Sequence, residues 1–160
     1  MTSLTAHIEG IGLLGPGLPD WPAAAAVLLG QEGYRYRDTA LPAPAALPPA
    51  ERRRCGAIVK LSLAGGLEGA HAARAGPAAL PAAFSASGGD GAKCHEICQM
   101  LASSDRLISP TRFHNSVHNS ASGYWSIATG AMAPSSVLCA YDASFGAGLL
   151  EAAAQAAVER

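Results

Sequence analysis

Charge is scarce in this chain. Only 14% of its 160 residues are Asp, Glu, Lys or Arg, against roughly 25% in an average soluble domain, so much of the surface is expected to be buried or shared. Aromatic residues are scarcer still at 6%, which leaves few large side chains for a private core. Nor is there a basic excess. Eleven Lys and Arg against twelve Asp and Glu give a net charge of −1, which removes the electrostatic footing for nucleic-acid binding. No apolar run has the length of a membrane span, and the N-terminus lacks the basic-then-apolar pattern of a secretory signal. The chain is therefore expected in the cytoplasm, with Cys55, Cys94, Cys98 and Cys139 as reduced thiols.

Small residues dominate instead: alanine runs recur, with 18 Gly and 11 Pro. Such a chain packs its elements closely, and its length suits a single domain over residues 1–160. The one basic run, Arg52-Arg53-Arg54, reads as the solvated face of a helix start, with a docking patch for an acidic partner as the alternative.

His7 to Leu13 mixes β-branched residues with glycine and reads as a strand. Asp20 stands where an N-cap belongs, with Pro22 in the first turn, Ala23 to Leu29 as a short helix and Gly30 as its stop. Residues 41–50 are too rich in proline for regular structure. A second helix begins at Glu51, runs to Ala64 and extends toward Ala73 across Gly65-Gly66. A strand over residues 80–87 follows, then a helix from Ala92 to Ala102 capped by Asp90, with Cys94, Cys98 and Leu101 along one side. Ser103 to Ser120 has no periodicity and is expected as a loop. Ala121 to Thr129 is helical and ends at Gly130. Ser136 to Tyr141 forms a strand, and Phe145 to Glu159 a helix so apolar that burial on all sides is expected. The order β-α-α-β-α-α-β-α predicts an α/β domain. The chain stops where a further strand is expected, which suggests a fragment.

Two stretches narrow the class. Residues 109–130, SPTRFHNSVHNSASGYWSIATG, resemble the segment of β-ketoacyl synthases in which an Asn-rich loop opens a helix ending in glycine. Residues 133–148, APSSVLCAYDASFGAG, resemble the strand, sharp turn and small-residue helix that follow. The opening Glu9-Gly10-Ile11-Gly12 with Gly15-Pro16-Gly17, and the Arg52–Arg54 run before an apolar helix, fit the same pattern. The likeness is greatest to the synthase-like N-terminal domains of aryl polyene and xanthomonadin-type pathways. It implies the N-terminal half of a thiolase-like fold: a mixed sheet with a buried central helix and covering helices.

The resemblance also exposes a loss. Condensing enzymes of the family carry a nucleophilic cysteine at a helix N-terminus, where the dipole and free N–H groups favour the thiolate. Matching Ala143-Ser144 and residues 149–152 to the family pattern puts Asp142 on that position. A carboxylate is a far poorer acyl acceptor than a thiolate. The two catalytic histidines of the family belong to the second half of the fold, outside this sequence. Ketosynthase-like chains without the cysteine are chain-length factors, which pair with a full-length ketosynthase as a heterodimer and meet its acyl carrier protein. That role is the expectation here, in type II fatty acid or polyketide biosynthesis of the aryl polyene kind, without a cofactor or metal. His114, Asn115, His118, Asn119, Ser144 and Phe145 are the residues expected at the substrate site or interface, and Asp142 is expected to cap the last helix.

Four rivals stay open. A shifted register makes Cys139 the nucleophile of an acyltransferase, though a cysteine inside the strand is expected to be a buried, inert thiol. His114 and His118, with Cys94, His95 and Cys98, suggest a zinc module, but zinc needs four convergent ligands. Ser144 lacks the flanking glycines of a hydrolase elbow. Gly10, Gly12 and Gly15 match a dinucleotide loop only superficially, because Pro16 intrudes and no acidic residue follows at the required distance.

Overall fold

The computed structural model describes residues 5–158. Helix α1 (Trp21–Leu28) starts as its sequence predicts: the Asp20 carboxylate accepts from the Ala23 N–H at 2.8 Å, and Pro22 occupies the first turn. The proline-rich loop leads into α2 (Pro49–Arg54), and Cys55-Gly56 separates it from α3 (Ala57–Ala72). The expected single helix is thus two. Gly65-Gly66 does not interrupt α3, because that stretch packs against other elements.

Strand β1 (Ala82–Ser85) is followed by α4 (Gly91–Ala102), capped by Asp90 through the Lys93 N–H at 3.1 Å. Then come α5 (Pro110–Asn115), α6 (Ser120–Thr129), β2 (Ser135–Leu138) and α7 (Ser144–Val158). Helix α5 lies within the stretch read as a loop. Pro110 pre-sets its first turn, and Arg112 stands in its last, where the dipole favours a cation. Helix α6 ends on Gly130 in the left-handed conformation, as predicted. The end of α7 expected at Glu159 lies outside the described residues.

Among the described residues β1 and β2 form one parallel two-stranded sheet, with Ala82 opposite Ser135 and Ser85 opposite Leu138. The fold is α/β and helix-rich, but the sheet is parallel rather than mixed. The strand expected over residues 7–13 is missing, because its neighbour is a helix. Gly12 lies directly on α3, where an added Cβ would overlap the Gly65 carbonyl and the Gly69 backbone. A segment laid against a helix has no ladder to join.

Glu68 of α3 fixes that segment in place. One carboxylate oxygen accepts from the Leu13 N–H at 2.8 Å and the other from the Trp21 N–H at 2.7 Å. The Trp21 N–H opens α1 and would otherwise be among the unsatisfied donors of a helix start.

The core lies between α3, α6 and β1. Leu47, Val59 and Leu63 are fully buried against Tyr124 and Trp125, and Trp125 meets Phe84 edge-on at 6.2 Å. Helix α7 corrects the expectation of all-round burial. It closes on the sheet through Ser144 and Gly148, yet Phe145 is 80% exposed, and Leu149 and Leu150 also face outward. Its partner surface covers one side only.

Candidate functional site

The chain leaves β2 at Leu138 and turns through Cys139 and Ala140 into a 3-10 turn, Tyr141–Ala143, that runs directly into α7. Tyr141 has φ +50°, a left-handed conformation that costs an aromatic residue about 1 kcal/mol or more. Ser144 holds the turn closed. Its hydroxyl accepts from the Ala140 N–H at 3.0 Å and lies 2.7 Å from the Tyr141 carbonyl and 3.1 Å from the Ala86 carbonyl at the end of β1. This expected site residue is therefore buried as the pin of the turn, and no incoming group can reach it without opening the turn.

Asp142 lies on the surface of the turn. Its side chain makes no hydrogen bond or ion pair among the described residues, so the expected cap is not formed. The strained residue is Tyr141, one position earlier. Its phenol ring is 77% exposed beside Asp142 and Phe145. A tyrosine in an ordinary-looking run gives no sign of positive φ, so sequence alone did not single it out.

Cys139 corrects another expectation. It lies just beyond β2 and is exposed, not inside a strand among apolar side chains. Its Sγ lies 2.6 Å from the Nε2 of His118, which stands in the link between α5 and α6. The pair brings a thiol and an imidazole from 21 positions apart to the exposed side of the turn.

The other expected residues scatter. His114 is exposed on α5. Asn115 is only 3% exposed and donates to the Arg54 carbonyl at 2.5 Å, tying α5 to the end of α2, while its Oδ1 has no partner. Asn119 is at the N-cap position of α6 without a side-chain cap; its carbonyl accepts from the Ser122 hydroxyl at 3.0 Å. Of the six positions expected at the substrate site or interface, His118, Ser144 and Phe145 are at or beside the turn.

Arg52 of the basic run is used internally, donating to the Ala45 and Leu47 carbonyls at 3.0 Å. Cys94 and Cys98 are exposed on α4, and among the described residues no three His, Cys, Asp or Glu side chains converge as metal ligands. Two buried groups have displaced protonation. Burial pushes the Cys55 thiol and the Tyr124 phenol up, with the Glu51 carboxylate adding to both and the Lys60 ammonium opposing at Cys55.

The crevice lined by His118, Phe84 and Val137 measures about 40 Å³, room for a water molecule and not for an acyl chain. A cavity of about 1160 Å³ lies between residues 14–20, α1, residues 32–42 and α3; Gly15, Gly17 and Asp20 line it, but none of the six positions expected at the substrate site or interface does. What the turn offers is a strand–turn–helix with Tyr141 and Asp142 at its bend and no thiol at the start of α7.

Residues 28–159 match the family model described as the β-ketoacyl synthase, N-terminal domain. The chain belongs to that family. A chain from the complex of the ketosynthase ApeO with its chain length factor ApeC, from Xenorhabdus doucetiae, superposes with a TM-score of 0.60 at 25% identity. The match covers 92% of this chain and 62% of that one, so this ketosynthase-like domain corresponds to somewhat under two thirds of its structural relative. No curated protein matches the sequence. The fold is thus the thiolase-like α/β arrangement that the sequence implied, and among the described residues no helix is long and apolar enough to cross a membrane.

Proposed function

We propose that the chain is a non-condensing partner of a β-ketoacyl-acyl carrier protein synthase, a chain-length factor in type II fatty acid or polyketide biosynthesis of the aryl polyene kind. The carrying observation is the turn between β2 and α7. It has the strand–turn–helix geometry of a ketosynthase, yet Tyr141 and Asp142 occupy it and no thiol stands at the start of α7. The exposed Tyr141, Phe145, Leu149 and Leu150 beside that turn support a surface completed by another protein. The relative whose printed description pairs a ketosynthase with its chain length factor supports the same assembly. In this role the domain 1–160 meets a full-length ketosynthase as a heterodimer, and an acyl carrier protein delivers the substrate to the pair in the cytoplasm. Asp142 and Phe145 lie on the side offered to the ketosynthase.

Reconstitution tests the role. A cognate ketosynthase and carrier protein, incubated with malonyl and acyl donors, should give products of defined length only when this chain is present. The same products at the same rate without it would overturn the proposal.

A further inference from the structure

We propose that the cavity between α1, residues 32–42 and α3 binds an aliphatic phosphate monoester, with Arg35 and Arg37 on the phosphate and the chain laid along α3. Both arginines belong to the run Tyr34-Arg35-Tyr36-Arg37, whose side chains alternate. Gly33, Arg35 and Arg37 line the cavity, whereas Tyr34 and Tyr36 do not and stand exposed. The backbone of this run is anchored to the turn before α1. The Gly17 N–H donates to the Arg37 carbonyl at 2.8 Å, and the Tyr34 hydroxyl donates to the Pro16 carbonyl at 3.1 Å. Gly17 has φ +70° and lies so close to the Arg35 carbonyl that an added Cβ would overlap it. The two arginine side chains therefore start from fixed points. Among the described residues neither guanidinium makes a hydrogen bond or ion pair.

Carboxylates line the cavity too, but most are already engaged. Glu68 accepts from the Leu13 and Trp21 N–H groups, Asp20 from the Ala23 N–H and Asp38 from the Tyr36 hydroxyl. Glu32 alone opposes the arginines, from the exposed edge. Two free guanidinia two positions apart suit a phosphate monoester, which carries a charge of about −2 at neutral pH and accepts bidentate hydrogen bonds. The other walls select the rest of the ligand. Ala64 and Leu67 of α3 and Ala23 and Val27 of α1 stand at helical spacings of three and four, so each pair forms an apolar stripe. The α3 wall runs from Ala64 to His71, a length of about 10 Å. No Phe, Tyr or Trp lines the cavity among the described residues, which leaves no ring for a nucleobase to stack on. The body of the ligand is therefore an aliphatic chain. A volume of about 1160 Å³ is above the roughly 300–1,000 Å³ of ordinary ligand sites, so chain and phosphate both fit.

Calorimetric titration of the full chain with monomeric decyl phosphate at neutral pH tests the site. One molecule should bind per chain, and Arg35→Gln and Arg37→Gln should each weaken binding about tenfold or more, as loss of charged hydrogen bonds requires. Decyl sulfate, with the same chain and one charge, and inorganic phosphate, with no chain, should both bind more weakly. Hydrogen exchange should show protection gained at residues 34–38 and 64–71. No saturation by about 1 mM decyl phosphate, or unchanged affinity in both glutamine variants, would overturn the proposal. Equal binding of decyl sulfate would also overturn it, as adsorption on exposed apolar faces such as that of Phe145. A lipid phosphate held in a membrane is a separate source: co-sedimentation with phosphatidylcholine vesicles containing phosphatidic acid, without binding of decyl phosphate, would count against a site for a free molecule. The exchange map in the unaltered protein stands even if a variant misfolds. The assay needs no ketosynthase, so its failure leaves the partner role untouched, and a failed reconstitution leaves this site untouched.

Discussion

Glu68→Ala isolates a contact on which the arrangement of the whole N-terminal segment depends. In the folded protein one carboxylate closes two backbone donors, the Leu13 N–H at 2.8 Å and the Trp21 N–H at 2.7 Å, and so ties a segment without strand partners to α3. A hydrogen bond to a charged group contributes about 1.5–3 kcal/mol. Glu68 is only half-buried, so the lower end applies, and two such bonds give a loss of about 3 kcal/mol. For a domain of this size each kcal/mol lowers Tm by about 2–4 °C, so the variant should melt roughly 6–12 °C lower. Glu68→Gln keeps one acceptor and turns an amide N–H toward the other donor, so it should lose about half or more of that stability. Thermal melts followed by circular dichroism, with a urea titration for the midpoint, give the magnitude. Amide exchange gives the location: the Leu13 and Trp21 amides should lose protection first. A loss below about 1 kcal/mol in Glu68→Ala, or unchanged exchange at those two amides, would refute the reasoning.

Three further outcomes follow from other parts of the fold. Gly12→Ala should destabilise by about 2 kcal/mol or more, because its Cβ would overlap the α3 backbone at Gly65 and Gly69, which cannot move aside as a side chain can; a urea midpoint equal to that of the parent would contradict this packing. Tyr141→Gly should stabilise by up to about 1 kcal/mol, since it relieves φ +50° and removes an exposed ring; a clear loss on melting would show that the ring packs on something. Stability should be flat at neutral pH and fall above about pH 9. Burial raises the Cys55 thiol above 9.0 and the Tyr124 phenol above 10.0, so the folded state favours the protonated forms and loses that advantage as pH rises through the raised values. The Cys55→Ala variant should show a shallower fall between pH 9 and pH 11, read from urea midpoints across that range.

Local signals in the sequence were strong where one residue decides an element's end. Asp20, Asp90 and Gly130 each mark a terminus that the fold confirms; β1 stands within its predicted stretch, and β2 overlaps its own but starts one residue earlier and ends three residues sooner. The misreadings share a cause, which is that pattern cannot see the neighbour. His7 to Leu13 has the composition of a strand but lies on a helix through Gly12. Phe145, Leu149 and Leu150 look like core positions, yet α7 touches the sheet only along its Ser144–Gly148 side. Helix α5 is one and a half turns long, too short for a periodicity to register. At the candidate site the family resemblance drew attention to the turn between β2 and α7, while the Tyr141 conformation, the Ser144 pin and the contact of His118 with Cys139 depend on tertiary placement. Glu68 did leave a trace: it is the one charged residue between Lys60 and His71 in a run of small and apolar residues, the kind of position where a carboxylate has a structural partner.

The central claim is that this domain serves a ketosynthase and does not condense acyl chains itself. Light scattering on a size-exclusion column, applied to the chain co-expressed with its cognate full-length ketosynthase, tests it most directly. The account predicts one peak whose mass equals the sum of the two chains, weakened by Phe145→Asp on the exposed face of α7. Two separate peaks, with the ketosynthase forming its own dimer at every ratio of the two proteins, would contradict it.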